Sequence, residues 1–433
     1  MCPTRGTVPS SMQKGDNLYQ AYLDVLKKEL VPAMGCTEPV TIAYCAALAR
    51  RTLGAMPGSV VVLASGNVIK NVKSVVVPNT GGMKGIAAAA AAGIVAGDPE
   101  KQLEAISIIS EAQREEIRRF LDRIPVKVSP AVSQSALDVT VTLSSGSSHA
   151  SVRIAGYHTN VVRIEKDGCL LADAFPACEG DHEQADPLTM EGIYDFASNV
   201  ALEDVRDILD LQILYNTQIA EEGLRGNWGA NIGRVLLSEP SPDLQTRAKA
   251  MAAAGSDARM DGCALPVVIN SGSGNQGLTV SLPVIEYARE TGAGSETLYR
   301  ALTLSNLTAI HQKYGIGRLS AFCGAVSAGA AAGAGIAYLL GGDFKVICHT
   351  VVNALAITSG IVCDGAKPSC AAKIAASVDA GILGYRMYKN GQQFRGGDGI
   401  LSKGIENTLH NIVRLSKDGM RETDREIIRI MAE

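Results

Sequence analysis

The residues best suited to chemistry in this chain are cysteines set among small neighbours. Cys363 and Cys370 flank a Gly-Ala-Lys-Pro turn in IVCDGAKPSCAAK, and Cys323 lies upstream in AFCGAV. Thiolates are soft donors, and glycine or alanine beside them leaves room for an inorganic group where several converge. The spacing of Cys363 and Cys370 matches no zinc or ferredoxin pattern. Isolated cysteines also pack well as small buried hydrophobes, so spacing alone leaves both readings open.

Cys36 is different in kind. In GCTEPVTIAY it precedes Thr37, an N-cap residue type, and Pro39 suits a first helical turn. A helix N-terminus favours a thiolate, which makes Cys36 a candidate base, nucleophile or ligand. Glu38 opposes that shift unless its side chain turns away. An ordinary helix start accounts for Thr37 and Pro39 equally well.

The loop INSGSGNQGLTV carries Gly272, Gly274 and Gly277 as a literal G-x-G-x-x-G after the apolar run LPVVI. A dinucleotide site also needs a second strand ending in an acidic residue about 20 positions on. That region, SETLYRALTLSNLTAIHQKY, reads as helix, and Pro283 is expected to interrupt the helix after the loop. A loop of Asn, Ser and Gly can instead bind a carboxylate through backbone N–H groups and amides, or simply be a tight turn. Pyridoxal phosphate needs a Schiff-base lysine, and no local pattern marks Lys84, Lys313, Lys367 or Lys373 as one. His311 and His349 lie in helical contexts that suit structural histidines.

The elements that must position these groups are mostly helical. Of the 433 residues 46% are hydrophobic but only 4% aromatic, so the core is expected to be close-packed helices with Ala and Gly at their contacts. A formal charge of −4 without a long basic run argues against a nucleic-acid surface. MCPTRGTVPSSMQKGDN lacks an apolar signal core, and the ten cysteines lack the regular spacing of a disulfide scaffold. The expectation is reduced thiols in a cytoplasmic protein. Leu319 to Gly342 is uncharged and long enough to span a bilayer, but its Ala, Gly and Ser are weakly apolar, which favours a buried helix over a membrane span.

Along the chain, Leu18 to Leu30 and Pro39 to Arg51 read as helices, VVVLAS and VKSVVV as strands, and Pro99 to Leu121 as one amphipathic helix. VKVS, LDVTVTL, HASVRIA and NVVRIEKDG alternate as short antiparallel strands. The expected class is α+β: a predominantly helical, Ala/Gly-rich core domain with a smaller α/β insertion. Residues 1–15 are read as a flexible tail, 16–57 as helices packing with the helical domain, 58–185 as the α/β domain, and 186–433 as the helical domain carrying the cysteines.

Together, PAMGCTEP, NTGGMKG, NSGSGNQG and AFCGAVSAG followed by CDGAKPSC resemble the iron–sulfur L-cysteine desulfidases, relatives of the α-subunit domain of iron–sulfur L-serine dehydratases. The resemblance runs from about Tyr19 to the final helix. It implies a 4Fe–4S cluster held by Cys323, Cys363 and Cys370, with Cys36 at the active site as base or displaceable ligand. It further implies α,β-elimination of L-cysteine to pyruvate, ammonia and sulfide at an open iron. Thr37, the loop Asn79, Thr80, Gly81 and Gly82, and Ser271, Ser273, Asn275 and Gln276 are then the candidates for holding substrate. The partner is a small amino acid, with neither nucleic acid nor membrane, and assembly as a homodimer is left open. Serine dehydratase is the nearest rival. The GCTEP motif favours the desulfidase, because the Ser/His-containing motif that dehydratases usually carry as well is not found. From other classes come a zinc-stabilised binding protein using the three cysteines with His349 or Cys348, and a small membrane protein.

Overall fold

The computed structural model describes residues 11–133, 135–173 and 187–432. Residues 1–10 of the expected tail and 174–185 of the expected α/β unit lie outside the described residues. The first half runs α1 (Asn17–Glu29), β1 (Pro32–Met34), α2 (Thr37–Leu53), β2 (Ser59–Ala64), α3 (Gly66–Val72), α4 (Gly85–Ala96) and α5 (Glu111–Arg123). Strands β3 (Val126–Pro130), β4 (Asp138–Ser145), β5 (Ser148–Ala155), β6 (Val161–Lys166) and β7 (Cys169–Asp173) follow. The second half comprises α6 (Met190–Asn199), α7 (Leu202–Arg225), α8 (Ile232–Leu236), α9 (Leu244–Met260), the short β8 (Pro266–Val268) and α10 (Gly274–Thr291). It continues with α11 (Ser295–Ile316), α12 (Gly324–Leu339), α13 (Phe344–Thr358), α14 (Ser369–Lys389), α15 (Ile405–Arg414) and α16 (Arg421–Ala432). This is an α+β fold with a mostly helical core.

The six-stranded sheet is ordered β3-β2-β4-β5-β6-β7, with β2 and β3 parallel and the other neighbours antiparallel. Alternation drives it: Val139, Val141 and Leu143 of β4 point inward beside Ala150, Val152 and Ile154 of β5. Helix α2 lies against β4, β5 and α4, whereas α1 packs on α6, α7 and α11. Separately, β1 pairs antiparallel with β8, tying the segment before Cys36 to the one before the NSGSGNQG loop.

Small residues close the helical core, as the composition leads one to expect. Helices α12 and α14 cross at Gly329 and Gly381, where a Cβ on Gly381 would stand 2.2 Å from the Gly329 carbonyl oxygen. Only glycine permits that approach. Helix α12 is buried along its length, and no helix among the described residues is long and apolar enough to cross a membrane.

Three local expectations differ from the structure. VKSVVV ends α3 and enters a turn, touching Lys84 only through an isolated bridge at Val76. The segment from Pro99 breaks at Gln102 (φ 46°) and restarts at Ser110, whose hydroxyl and Gln113 form a capping box for α5. Pro283 sits inside α10 without ending it, because burial against α9 and α12 outweighs one lost backbone hydrogen bond.

Candidate active site

Four helices begin at one cavity. Cys36 is the N-cap of α2, Ser273 of α10 and Cys323 of α12, while Cys370 lies in the first turn of α14, and all four residues line the cavity with Cys363. Each N-terminus presents unpaired N–H groups and the positive end of a helix dipole, so their convergence favours bound anions. The space amounts to about 790 Å³ with its mouth included.

A short backbone ladder brings two of the thiols together. Cys363 N–H donates to Ala321 O (2.6 Å), Cys323 N–H donates to Ile361 O (3.2 Å), and Phe322 bridges Val362 between them. Cys370 then arrives from the turn, its Sγ 3.6 Å from Gly365 O. Burial, and after it the neighbouring Cys363, raises the thiol pKa of both Cys323 and Cys370. Three thiols opening onto one cavity are a soft donor set of the kind that holds an iron–sulfur group. Among the described residues no three His, Cys, Asp or Glu side chains are grouped so as to hold a metal ion. Cys348 and His349 line a different cavity, where His349 stacks on Tyr388.

Cys36 is not poised as a thiolate. Its Sγ donates to Glu38 Oε2 at 3.1 Å. Burial first, then the Glu38 charge, pushes its pKa well up, while Arg259 pulls the other way. Glu38 points inward, the arrangement that opposes thiolate formation. Burial favours the protonated form of Glu38, but His158, whose Nε2 stands 3.9 Å away, and the Cys36 hydrogen bond outweigh it and hold the carboxyl at about 2. Asn71 Nδ2 donates to Glu38 Oε1 (2.9 Å). Thr37 Oγ1 lies 2.9 Å from Gly272 O and 3.2 Å from Glu38 Oε2, so its one proton ties α2 either to the glycine loop or to the carboxylate.

The two candidate substrate loops part company. Thr37, Ser273, Asn275 and Gln276 line the cavity. Ser271 turns to Asn270 Oδ1 (2.9 Å) and is not on the wall. Asn79, Thr80, Gly81 and Gly82 are also absent from it: Asn79 Nδ2 donates to Ile106 O and Ser107 O, and Thr80 Oγ1 to Val77 O. Gly81 faces Arg118. That loop is held by backbone and charge contacts of its own.

Several wall residues carry no sequence signal of a site: Lys70, Asn71, His158, Arg259 and Arg318. Lys70 and Asn71 come from α3, Arg259 from α9, and His158 and Arg318 from the turns after β5 and α11. Arg259 had one available clue, since it and Asp257 interrupt the small-residue helix KAMAAAGSDARM.

Residues 100–429 match the family described as serine dehydratase alpha chain. The chain belongs to that family. A UPF0597 protein of Desulfitobacterium hafniense (strain Y51) is 59% identical over 422 residues, covering 97% of this chain and 98% of that protein. Another UPF0597 protein, of Lachnoclostridium phytofermentans, is 50% identical over 415 residues, covering 96% and 100% respectively. No solved structure matches the chain. Membership of the serine dehydratase alpha-chain family suggests a lyase-type enzyme, and the four cysteines at one cavity are where its chemistry would be sought.

Proposed function

We propose that the protein is an iron–sulfur lyase that eliminates the β-substituent of a small α-amino acid, with L-cysteine as first substrate. The balance is L-cysteine plus water to pyruvate, ammonia and hydrogen sulfide. The observation that carries this reading is the opening of Cys323, Cys363, Cys370 and Cys36 onto the one cavity where α2, α10, α12 and α14 begin.

Cys323, Cys363 and Cys370 would hold the cluster. When bound, it supplies an iron without a protein thiolate, a Lewis acid that polarises the departing thiolate or hydroxyl. The chain's own residues manage the proton. The proton shared by the pair rests on Cys36, because burial raises the thiol and Glu38 is held low. As the Cα proton moves to Sγ, the original Cys36 proton passes to Glu38 Oε2. The carbanion expels the β-substituent, which takes up the Glu38 proton and restores the carboxylate, and the aminoacrylate leaves to tautomerise and hydrolyse. His158 and Asn71 fix the carboxylate, and Thr37 fixes the start of α2.

Protein purified without oxygen should contain about four iron and four acid-labile sulfide per chain, and should release sulfide and pyruvate from L-cysteine. Zinc, or no metal after reconstitution, refutes the reading. L-serine is the second substrate reading, favoured by the family match. Comparing kcat/KM for the two amino acids separates them.

A further inference from the structure

We propose that Arg259 is the carboxylate anchor of this cavity and that the site takes α-amino acid zwitterions. The assignment rests on reading the cavity as an amino-acid site. Arg259 lies near the C-terminal end of α9, is only 2% exposed, and nevertheless lines the cavity. Its Nη1 donates to Asn275 Oδ1 at 3.1 Å, while Nε is buried without any partner. Among the described residues no carboxylate stands within ion-pair distance of it. Two other wall cations contrast with this: Arg318 reaches Glu29 and Lys70 reaches Asp424, each at 2.6 Å.

A buried guanidinium stays charged, and leaving it unpaired is costly. An anion entering the cavity completes it, and a planar carboxylate matches the guanidinium fork. Asn275 fixes the guanidinium from one side. Gly274 lets the start of α10 press against it, since a Cβ there would stand 2.2 Å from Nε. That helix N-terminus adds N–H groups suited to the same anion. The buried Gln276 Oε1 also lacks a partner and is an acceptor for an ammonium. The carboxylate side chain of Glu38 lines the same cavity. One unpaired cation with an anion and a free acceptor in the same space fits a zwitterion, whereas a phosphate dianion would meet repulsion from Glu38.

L-Alanine carries both charged groups but no leaving group, so its binding is read without turnover. Calorimetry on cluster-loaded protein should show L-alanine binding about 100-fold more weakly to Arg259→Gln, toward the lower end of what removing one member of a buried charge pair does. Arg259→Lys should recover part of that loss, and L-alaninamide should bind wild type and Arg259→Gln alike. Equal L-alanine affinity in wild type and Arg259→Gln, or no L-alanine binding to cluster-loaded wild type, overturns the assignment. Loss of iron from both Arg259→Gln and Arg259→Lys also overturns it, because the guanidinium would then serve the cluster. Sulfide release from L-cysteine is measured on the same preparations. Arg259-dependent L-alanine binding without sulfide release sinks the desulfidase reading and leaves the anchor standing.

Discussion

Cys36 Sγ and Glu38 Oε2 stand 3.1 Å apart, both buried, in the first turn of one helix. Sulfur and carboxylate therefore share one proton, and neither can be altered without moving it. Glu38→Gln should lower turnover about 10²–10³-fold, the usual worth of a positioned acid–base group, with iron content unchanged. Cys36→Ser should do the same. Normal kcat in either variant would remove the pair from the mechanism.

Cys323, Cys363 and Cys370 form a unit of another sort. Changing any one to Ser should drop iron from about four to below one per chain, whereas Cys36→Ser should keep it. The check is iron and labile sulfide in four parallel oxygen-free preparations. Full iron in Cys370→Ser would mean that the thiol brought in by the turn after Gly365 is not a ligand.

These two groups also mark where the sequence was readable. Cys323, Cys363 and Cys370 stood out because small neighbours surround them, and strands β4 to β6 because their residues alternate. Lys73 to Val77 misled because a valine run fits a strand or a buried turn alike. Ser110 and Gln113 printed a capping box that divides the Pro99 segment, but continuous amphipathicity masked it. Arg259, His158 and Lys70 could not be read together: they reach the cavity from three elements joined only by tertiary packing.

Asp257 provides a test by pH. It is buried and accepts from Gly233 N–H (3.0 Å), and burial raises its carboxyl to about 6 from an ordinary 3.8. The folded state thus holds this proton more tightly than the unfolded chain does. Stability contributed here is fully present below about 3.8 and declines as pH rises through about 6. Asp257→Asn should flatten that part of the profile, so its stability relative to wild type should improve between pH 4 and 7. Parallel urea midpoints across that range would show a constant difference if Asp257 were not the group titrating.

Lys70 and Asp424 test how the C-terminal helix is seated. The Lys70 side chain is 1% exposed and its Nζ meets Asp424 Oδ1 at 2.6 Å, while Asn67 Nδ2 holds the other oxygen at 3.0 Å. Asp424→Ala leaves a buried ammonium alone, which should cost about 3 kcal/mol and expose residues 421–432 to protease. Lys70→Met with Asp424→Leu removes both charges and keeps apolar volume, so it should be more stable than Asp424→Ala. If the double variant is no better than the single, the pair is not what seats α16. Its fit beside Gly66, where Ile428 would stand 3.0 Å from an added Cβ, would then be the contact to change.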